Sequence, residues 1–277
     1  MTDEALLPRE SAGPPSAYRG RAGQVLRSYL LRLWMDAEDA YRSQILDAIR
    51  RLAPEALLDL GCHDGAWTRR LADAAGHGLQ RLGGVEIVED ARLEAVRRGI
   101  DAIAADLNEP LPYDDEIFDV VHANQVLEHV RDLDVFVGEI RRVLRPGGFA
   151  VVCTENLASW HNVAALALGY MPFSLTNISN RGAIGNPFCL AGVPADEFNP
   201  AWFHTRVLTG AGLTHLFELH RFAVVERFAS GYHPLPPVLA RRIARLDFRH
   251  AAFIGTVARK PLADTSNRPN RSSPAIP

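Results

Sequence analysis

The sequence predicts an α/β fold, a doubly wound and mostly parallel sheet with helices on both faces. Three observations carry that reading. Short apolar runs alternate with helix-length segments along most of the chain. The run at 57–60 passes into a turn bearing Gly61 and Gly65, and the next two runs end in acids, Glu86 and Asp106. Strands apolar on both faces belong to a sheet covered on both sides. Right-handed crossovers then wind it in both directions.

The elements follow in order. Asp36 is a candidate cap for a helix in which Tyr41, Ile45, Ile49 and Leu52 recur on one face. A first strand spans 56–60 and a helix spans 66–75, ended by Gly76. A second strand covers 82–87, and the helix at 89–98 is stopped by Gly99. Strands at 100–105 and 117–123 come next, the latter with Phe-Asp-Val-Val at its centre. A helix at 133–144 leads through Arg-Pro-Gly-Gly into a fifth strand at 149–154.

Residues 155–204 break this rhythm, with an apolar helix candidate at 163–170 and a Gly/Asn/Pro-rich stretch at 177–200. So long an irregular segment reads as an insertion or lid. Thr205 is a candidate cap for a helix reaching Leu219, and 222–228 and 251–258 are two last strands. The proline-bearing ends, 1–20 and 261–277, read as disordered tails around a single domain at 21–260.

Composition narrows the class. The 277 residues are 47% apolar, ample for a core, and the net charge of −3 gives no reason to expect a nucleic-acid partner. Lys260 is the single lysine, which reads as a compositional bias toward arginine. Cys62, Cys153 and Cys189 lie far apart and are odd in number, so neither a disulfide framework nor a cysteine zinc site is expected. The apolar run at 163–173 is broken by Gly169 and Pro172 and is too short for a bilayer. With no stretch resembling a signal peptide, the expectation is a cytoplasmic protein without stable membrane insertion.

Ligands of open α/β sheets bind beyond the carboxyl ends of the strands. A dinucleotide fingerprint beginning at Gly61 requires a glycine at 63, where this chain has His63. That glycine lets a pyrophosphate approach the helix, so its loss argues against NAD or FAD. Glu86 is placed to accept from ribose hydroxyls, and Asp106 to meet an adenine amine. Strand-end acids also cap helices, so either one alone is ambiguous. Together they suit a phosphate-free nucleoside with a positive centre, such as S-adenosylmethionine.

From about 36 to 156 the chain resembles the class I S-adenosylmethionine-dependent methyltransferases. The matching pieces are Leu-Leu-Asp-Leu-Gly-Cys-His-Asp-Gly at 57–65, Gly-Val-Glu-Ile at 84–87 and Asp-Leu-Asn-Glu-Pro-Leu-Pro at 106–112. They continue with Phe-Asp-Val-Val at 118–121, Val-Leu-Glu-His-Val at 126–130 and Leu-Arg-Pro-Gly-Gly at 144–148. The resemblance implies a Rossmann-like, seven-stranded sheet with an antiparallel last strand. It implies that Asp59, Gly61, Cys62, His63, Asp64 and Gly65 meet the methionine end of S-adenosylmethionine. Glu86, beside Ile87, would hold the ribose, Asp106 with Leu107 the adenine, and Asn124 and Gln125 would line the cofactor. His63 departs from the usual glycine, but histidine enters positive φ readily enough to keep the turn.

The expected activity is methyl transfer to an oxygen or nitrogen of a small molecule or glycan, as in secondary-metabolite or polysaccharide biosynthesis. The alternative is a non-catalytic binding module that keeps the fold. His129 and His161 are the catalytic candidates, with His204 and Tyr232 behind them, and Asn156 and Trp160 are candidates for shaping an acceptor pocket. Some relatives hold a divalent metal with Glu-x-x-Glu-His. Gln125 replaces the first acid here, leaving too few ligands for a hard cation, so no metal is expected.

Overall fold

The structure is a computed structural model, and it describes residues 18, 20–179, 183–189 and 203–262, with Arg245 described in its backbone only. The expected lid therefore lies partly, and both expected tails almost wholly, outside the described residues.

Seven strands form one sheet: β1 (Ala56–Leu60), β2 (Arg81–Val85), β3 (Asp101–Ile103), β4 (Phe118–Asn124), β5 (Leu144–Glu155), β6 (Ala223–Ser230) and β7 (Phe253–Arg259). Their order is β3-β2-β1-β4-β5-β7-β6. The pairs from β3 through β5 are parallel, and β7 is antiparallel to both β5 and β6. The chain winds outward from β1 to β3 and resumes on the other side of β1 at β4. The crevice of a doubly wound sheet opens at that reversal.

Alternation along the central strands makes two cores. Leu57, Val120 and Val151 point to the side covered by helices α1 (Gly20–Leu52) and α2 (Ala66–Ala75), joining Tyr41, Ile45 and Ile49. Leu58, Leu60, Val121, Ala150 and Val152 point to the opposite side, against α4 (Leu133–Val143) and α6 (Gly210–Leu219). A period of two therefore reads both faces of a strand that looks uniformly apolar in sequence. Helix α3 (Glu89–Arg97) packs Ala95 on Cys62 and Ile100.

Several expectations need correction. Asp36 caps nothing, because α1 begins at Gly20 and the buried stripe Leu33, Ala37, Tyr41, Ile45, Ile49 runs straight past it. Thr205 is not a helix cap: its hydroxyl donates to the carbonyls of Glu128 and Val130. Helix α6 is capped instead by Thr209, whose oxygen accepts from Gly212 N at 3.1 Å. β5 begins at Leu144, absorbing the Arg-Pro-Gly-Gly segment, while β3 stops at Ile103. The insertion helix is α5 (Trp160–Ala167), and a further helix, α7 (Pro237–Leu246), starts with proline at its first turn. Among the described residues no helix is long and apolar enough to cross a membrane.

Candidate functional site

The turn after β1 carries Gly61, His63 and Gly65 at φ of 73°, 49° and 78°. Gly61 must be glycine for space as well, since a Cβ there would lie 2.7 Å from Val126 Cγ2. The turn is tied to β2 by Gly61 N and Cys62 N, both donating to Val85 O. It is also tied to Glu86, whose Oε2 accepts from His63 N at 2.9 Å and whose Oε1 accepts from Val88 N at 2.8 Å. Each oxygen keeps a second acceptor site. His63 thus keeps the turn through its backbone while holding the acid in place.

Glu86 and the turn line a cleft of about 640 Å³ together with Ile87, Asp106, Leu107, Asn124 and Gln125. Asp106 is set by Asn108, which donates to its Oδ1 from both backbone and side chain. Ile87, more than half exposed, offers an apolar surface over the cleft.

A second cleft of about 480 Å³ shares Gly61, His63, Asn124 and Gln125 with the first and is roofed by Glu38, Tyr41 and Arg42 of α1. Beneath it Asp59 is fully engaged. Thr68 donates to its Oδ2 at 2.5 Å, and His122 Nδ1 donates to its Oδ1 at 2.7 Å, all three residues being buried. With its Nδ1 proton committed to the carboxylate, His122 can accept at Nε2 from Trp67 Nε1, 3.5 Å away. Two buried polar atoms at this cleft, Tyr41 Oη and Asn124 Oδ1, have no hydrogen-bond partner. Buried polar atoms are rarely left so without a ligand or water to meet them. A nucleoside along the first cleft and an amino-acid tail in the second is the shape of S-adenosylmethionine, and the residues fit it.

A third cavity, about 350 Å³, lies further along α1. Leu30, Leu31 and Trp34 form one wall, and Glu155, His161, Phe173, His204 and His233 form the others. Burial pushes the His161 and His233 imidazoles down to about 3 and about 4, so both are uncharged at neutral pH. Burial raises the Glu155 carboxyl, whose Oε2 has no hydrogen-bond partner. Between this cavity and the first cleft stand Glu128, His129 and His204, each with one ligand atom within 4.8 Å of the others. His129 Nδ1 faces Phe203 O and His204 Nδ1 faces Ser174 O, which leaves both Nε2 atoms for that cluster. Burial pushes His129 down to about 4 and Glu128 up to about 7.

The structure thus divides the residues singled out in the sequence. Gly61, His63, Glu86, Ile87, Asp106, Leu107, Asn124 and Gln125 line the first cleft, and Asp59, Cys62 and Asp64 line the second. Gly65 lines neither. A Cβ there would lie 2.3 Å from Ile100, so it serves helix packing. Cys62 is buried with its thiol pushed up to about 12 by burial, a packing group. The two catalytic candidates are not together: His129 borders the first cleft and His161 the third cavity. Asn156 is spent on the carbonyls of Arg249 and Ala251, Trp160 stacks on His250, and the Tyr232 hydroxyl bonds Asp247. His204, the secondary catalytic candidate before Thr205, faces Glu155 at 3.8 Å.

Sequence reasoning missed Tyr41 as a site residue, as well as Trp34, Glu155 and His233. Only Glu155 carried a signal, being an acid at a strand end like Glu86.

Known proteins resemble this chain over the same strands. The sequence profile of the family described as "Methyltransferase domain" matches residues 58–152, from β1 through β5. A probable S-adenosylmethionine-dependent methyltransferase of Mycolicibacterium smegmatis is 31% identical over 206 residues, covering 74% of this chain and 63% of that protein. A ubiquinone biosynthesis O-methyltransferase of Chelativorans sp. is 32% identical over 101 residues, 36% of this chain and 40% of the relative. The chain therefore spans less than two thirds of the length of these curated relatives.

Among solved structures, a Thermotoga maritima S-adenosylmethionine-dependent methyltransferase, described as a possible histamine N-methyltransferase, superposes with a TM-score of 0.54 at 18% identity. That match covers 83% of this chain and 94% of the other. The [4+2]-cyclase SpnF superposes at 0.51 and 17% identity over 79% of this chain and 80% of its own, so the fold is shared beyond methyl transfer. Profile and relative agree over the strands that build the two clefts, and residues 58–152 form a methyltransferase domain similar to that of S-adenosylmethionine-dependent methyltransferases.

Proposed function

We propose that this chain transfers the methyl group of S-adenosylmethionine to an oxygen or nitrogen of a small-molecule or glycan acceptor. The observation that carries the reading is the meeting of two clefts at Gly61, His63, Asn124 and Gln125, with Glu86 pinned through both oxygens at the edge of one. Bound there, S-adenosylmethionine supplies an electrophilic methyl on a sulfonium. The protein's part is placement. Glu86 accepts from the ribose hydroxyls, Asp106, Leu107 and Ile87 frame the adenine, and Tyr41 and Asn124 find their missing partners in the methionine tail. Holding donor and acceptor in line near contact supplies much of the rate of such a displacement. His161 and His129, uncharged at neutral pH, are available to accept a hydrogen bond from the acceptor side.

Calorimetry with S-adenosylmethionine and its demethylated product tests the binding half, and absence of heat at millimolar ligand would overturn it. Transfer of a labelled methyl into a panel of hydroxyl and amine acceptors tests the other half. Binding without transfer to any of them would leave the non-catalytic module as the better reading.

A further inference from the structure

Resting on that reading, we propose that the third cavity is the acceptor site and takes an uncharged aromatic hydroxyl compound, a phenol of one or two fused rings. Position comes first. β5 pairs with β4 so that Cys153 lies opposite Asn124, where the two cofactor clefts meet. Glu155 is two residues further on, about 7 Å along the strand. On α1, Trp34 of the cavity precedes Tyr41 of the second cleft by two turns, about 10 Å on the same face. The cavity thus adjoins the methyl end of the cofactor from two directions.

Size and polarity set the class. An apolar cavity of about 150 Å³ holds one benzene ring, and this one is about 350 Å³. Its walls are mainly aliphatic and aromatic, with Glu155 and His204 among the polar groups, Trp34 stacked on His233 at 6.2 Å, and His161 set edge-on to Phe173 at 5.4 Å and to His233 at 5.2 Å. No lysine or arginine lines it among the described residues. A carboxylate or phosphate would therefore be buried without a counter-ion. An aliphatic amine, protonated at neutral pH, would have to shed its proton and its hydration before it could act as a nucleophile. A phenol, with an ordinary pKa near 10, enters neutral.

The polar demand matches as well. Glu155 Oε2 and His233 Nε2 are both buried atoms without a hydrogen bond, the carboxylate oxygen having only His204 Nδ1 at 3.8 Å. A hydroxyl can donate to the carboxylate oxygen and, with His233 in its Nε2–H tautomer, accept from the imidazole. In the transfer, the phenolic O–H bond breaks and its proton passes to the Glu155 carboxylate. The oxygen pair forms the new C–O bond as the C–S bond breaks, and those electrons stay on sulfur as a neutral thioether.

The test uses the full chain saturated with the demethylated cofactor product. The probes are 2-naphthol, 2-naphthoate and 2-naphthylmethylammonium, followed by calorimetry and by Trp fluorescence. Naphthol is expected to bind at least about 10-fold more tightly than naphthoate, the least that an unpaired buried charge should cost, and the ammonium, which Glu155 can pair, is expected to accept no methyl group. Leu30→Trp, which fills the cavity, should abolish naphthol binding while the cofactor product still binds. Glu155→Gln should keep naphthol binding and lose methyl transfer to it, and His233→Gln should weaken naphthol binding without touching the cofactor product. Equal binding of naphthoate, methyl transfer to the amine in preference to naphthol, or no naphthol binding by protein that binds the cofactor product, overturns the proposal. Failure of the cofactor product itself to bind would instead strike the reading on which it rests.

Discussion

The cofactor clefts and the third cavity are built in opposite ways. Gly61, His63, Glu86, Asp106, Asn124 and Gln125 each sit within a few residues of a strand end, on short connections of the parallel half of the sheet. The cavity draws on α1, the end of β5, α5, the turn at Phe173, His204 and the loop after β6. Local backbone geometry creates the first region, whereas packing between distant segments creates the second. Changes in the first are therefore expected to touch fold and cofactor together. Changes in the second should touch the acceptor with little effect on the cofactor.

The largest expected effect lies under the second cleft. Asp59→Ala strands the buried Thr68 hydroxyl and His122 imidazole, and should cost about 3 kcal/mol of stability, read from urea unfolding. A loss below ~1 kcal/mol would show that the loop does not depend on this network and would break the comparison. Next comes Glu86→Ala. It frees the His63 and Val88 N–H groups and removes the ribose partner, so affinity for S-adenosylmethionine should fall about 100-fold by calorimetry. Unchanged affinity would remove Glu86 from the site.

The same contrast explains what could be read in advance. His63 was legible because a turn that demands positive φ advertises its residue types, and Glu86 and Asp106 were legible because strand ends fix where acids fall. Strand positions and a sheet covered on both faces followed from apolar runs, although which helices Leu57 meets and which Leu58 meets did not show in them. Trp34 and Tyr41 looked like a helix stripe, and nothing local says which end of that stripe borders a cleft. His233 and Leu30 belong to one cavity only because α1 crosses the carboxyl edge of the sheet. Thr205 misled because a hydroxyl before an apolar run looks the same whether it accepts from a helix or donates to carbonyls.

A smaller effect sharpens the cavity's side of the comparison. His161 and His233 are held near 3 and 4 by burial, below the ordinary 6.5. Between those values the unfolded chain binds more protons than the folded one, so their contribution to stability falls as pH drops from about 6.5 toward 4. Glu128, raised to about 7, works the other way in that window, since the folded chain then holds the extra proton. His161→Gln removes one histidine from the balance. Its unfolding free energy, read from urea titrations, should decline less than the parent's between pH 6.5 and 4, by up to ~1.4 kcal/mol per pH unit. Parallel declines in the two proteins would mean that His161 is not shielded from water.

The smallest expected effect is none at all, and it concerns the wall between the two regions. Glu128, His129 and His204 bring three donor atoms within 4.8 Å, and both imidazoles turn their Nδ1 atoms to backbone carbonyls, as metal-bound histidines do. One carboxylate and two imidazoles fall well short of the six or more oxygens that calcium takes or the octahedral shell of magnesium. The Glu128 side chain is already engaged by the Thr154 hydroxyl at 2.8 Å, and its carbonyl by Thr205, which ties the β4 loop to β5 and to the segment before α6. A joint that holds three segments together accounts for the cluster without an ion. Dialysis against a chelator should leave methyl transfer unchanged, and added magnesium should not raise it. A rate that falls on chelation and returns with a divalent ion would assign the three residues to a metal and make this wall part of the acceptor chemistry.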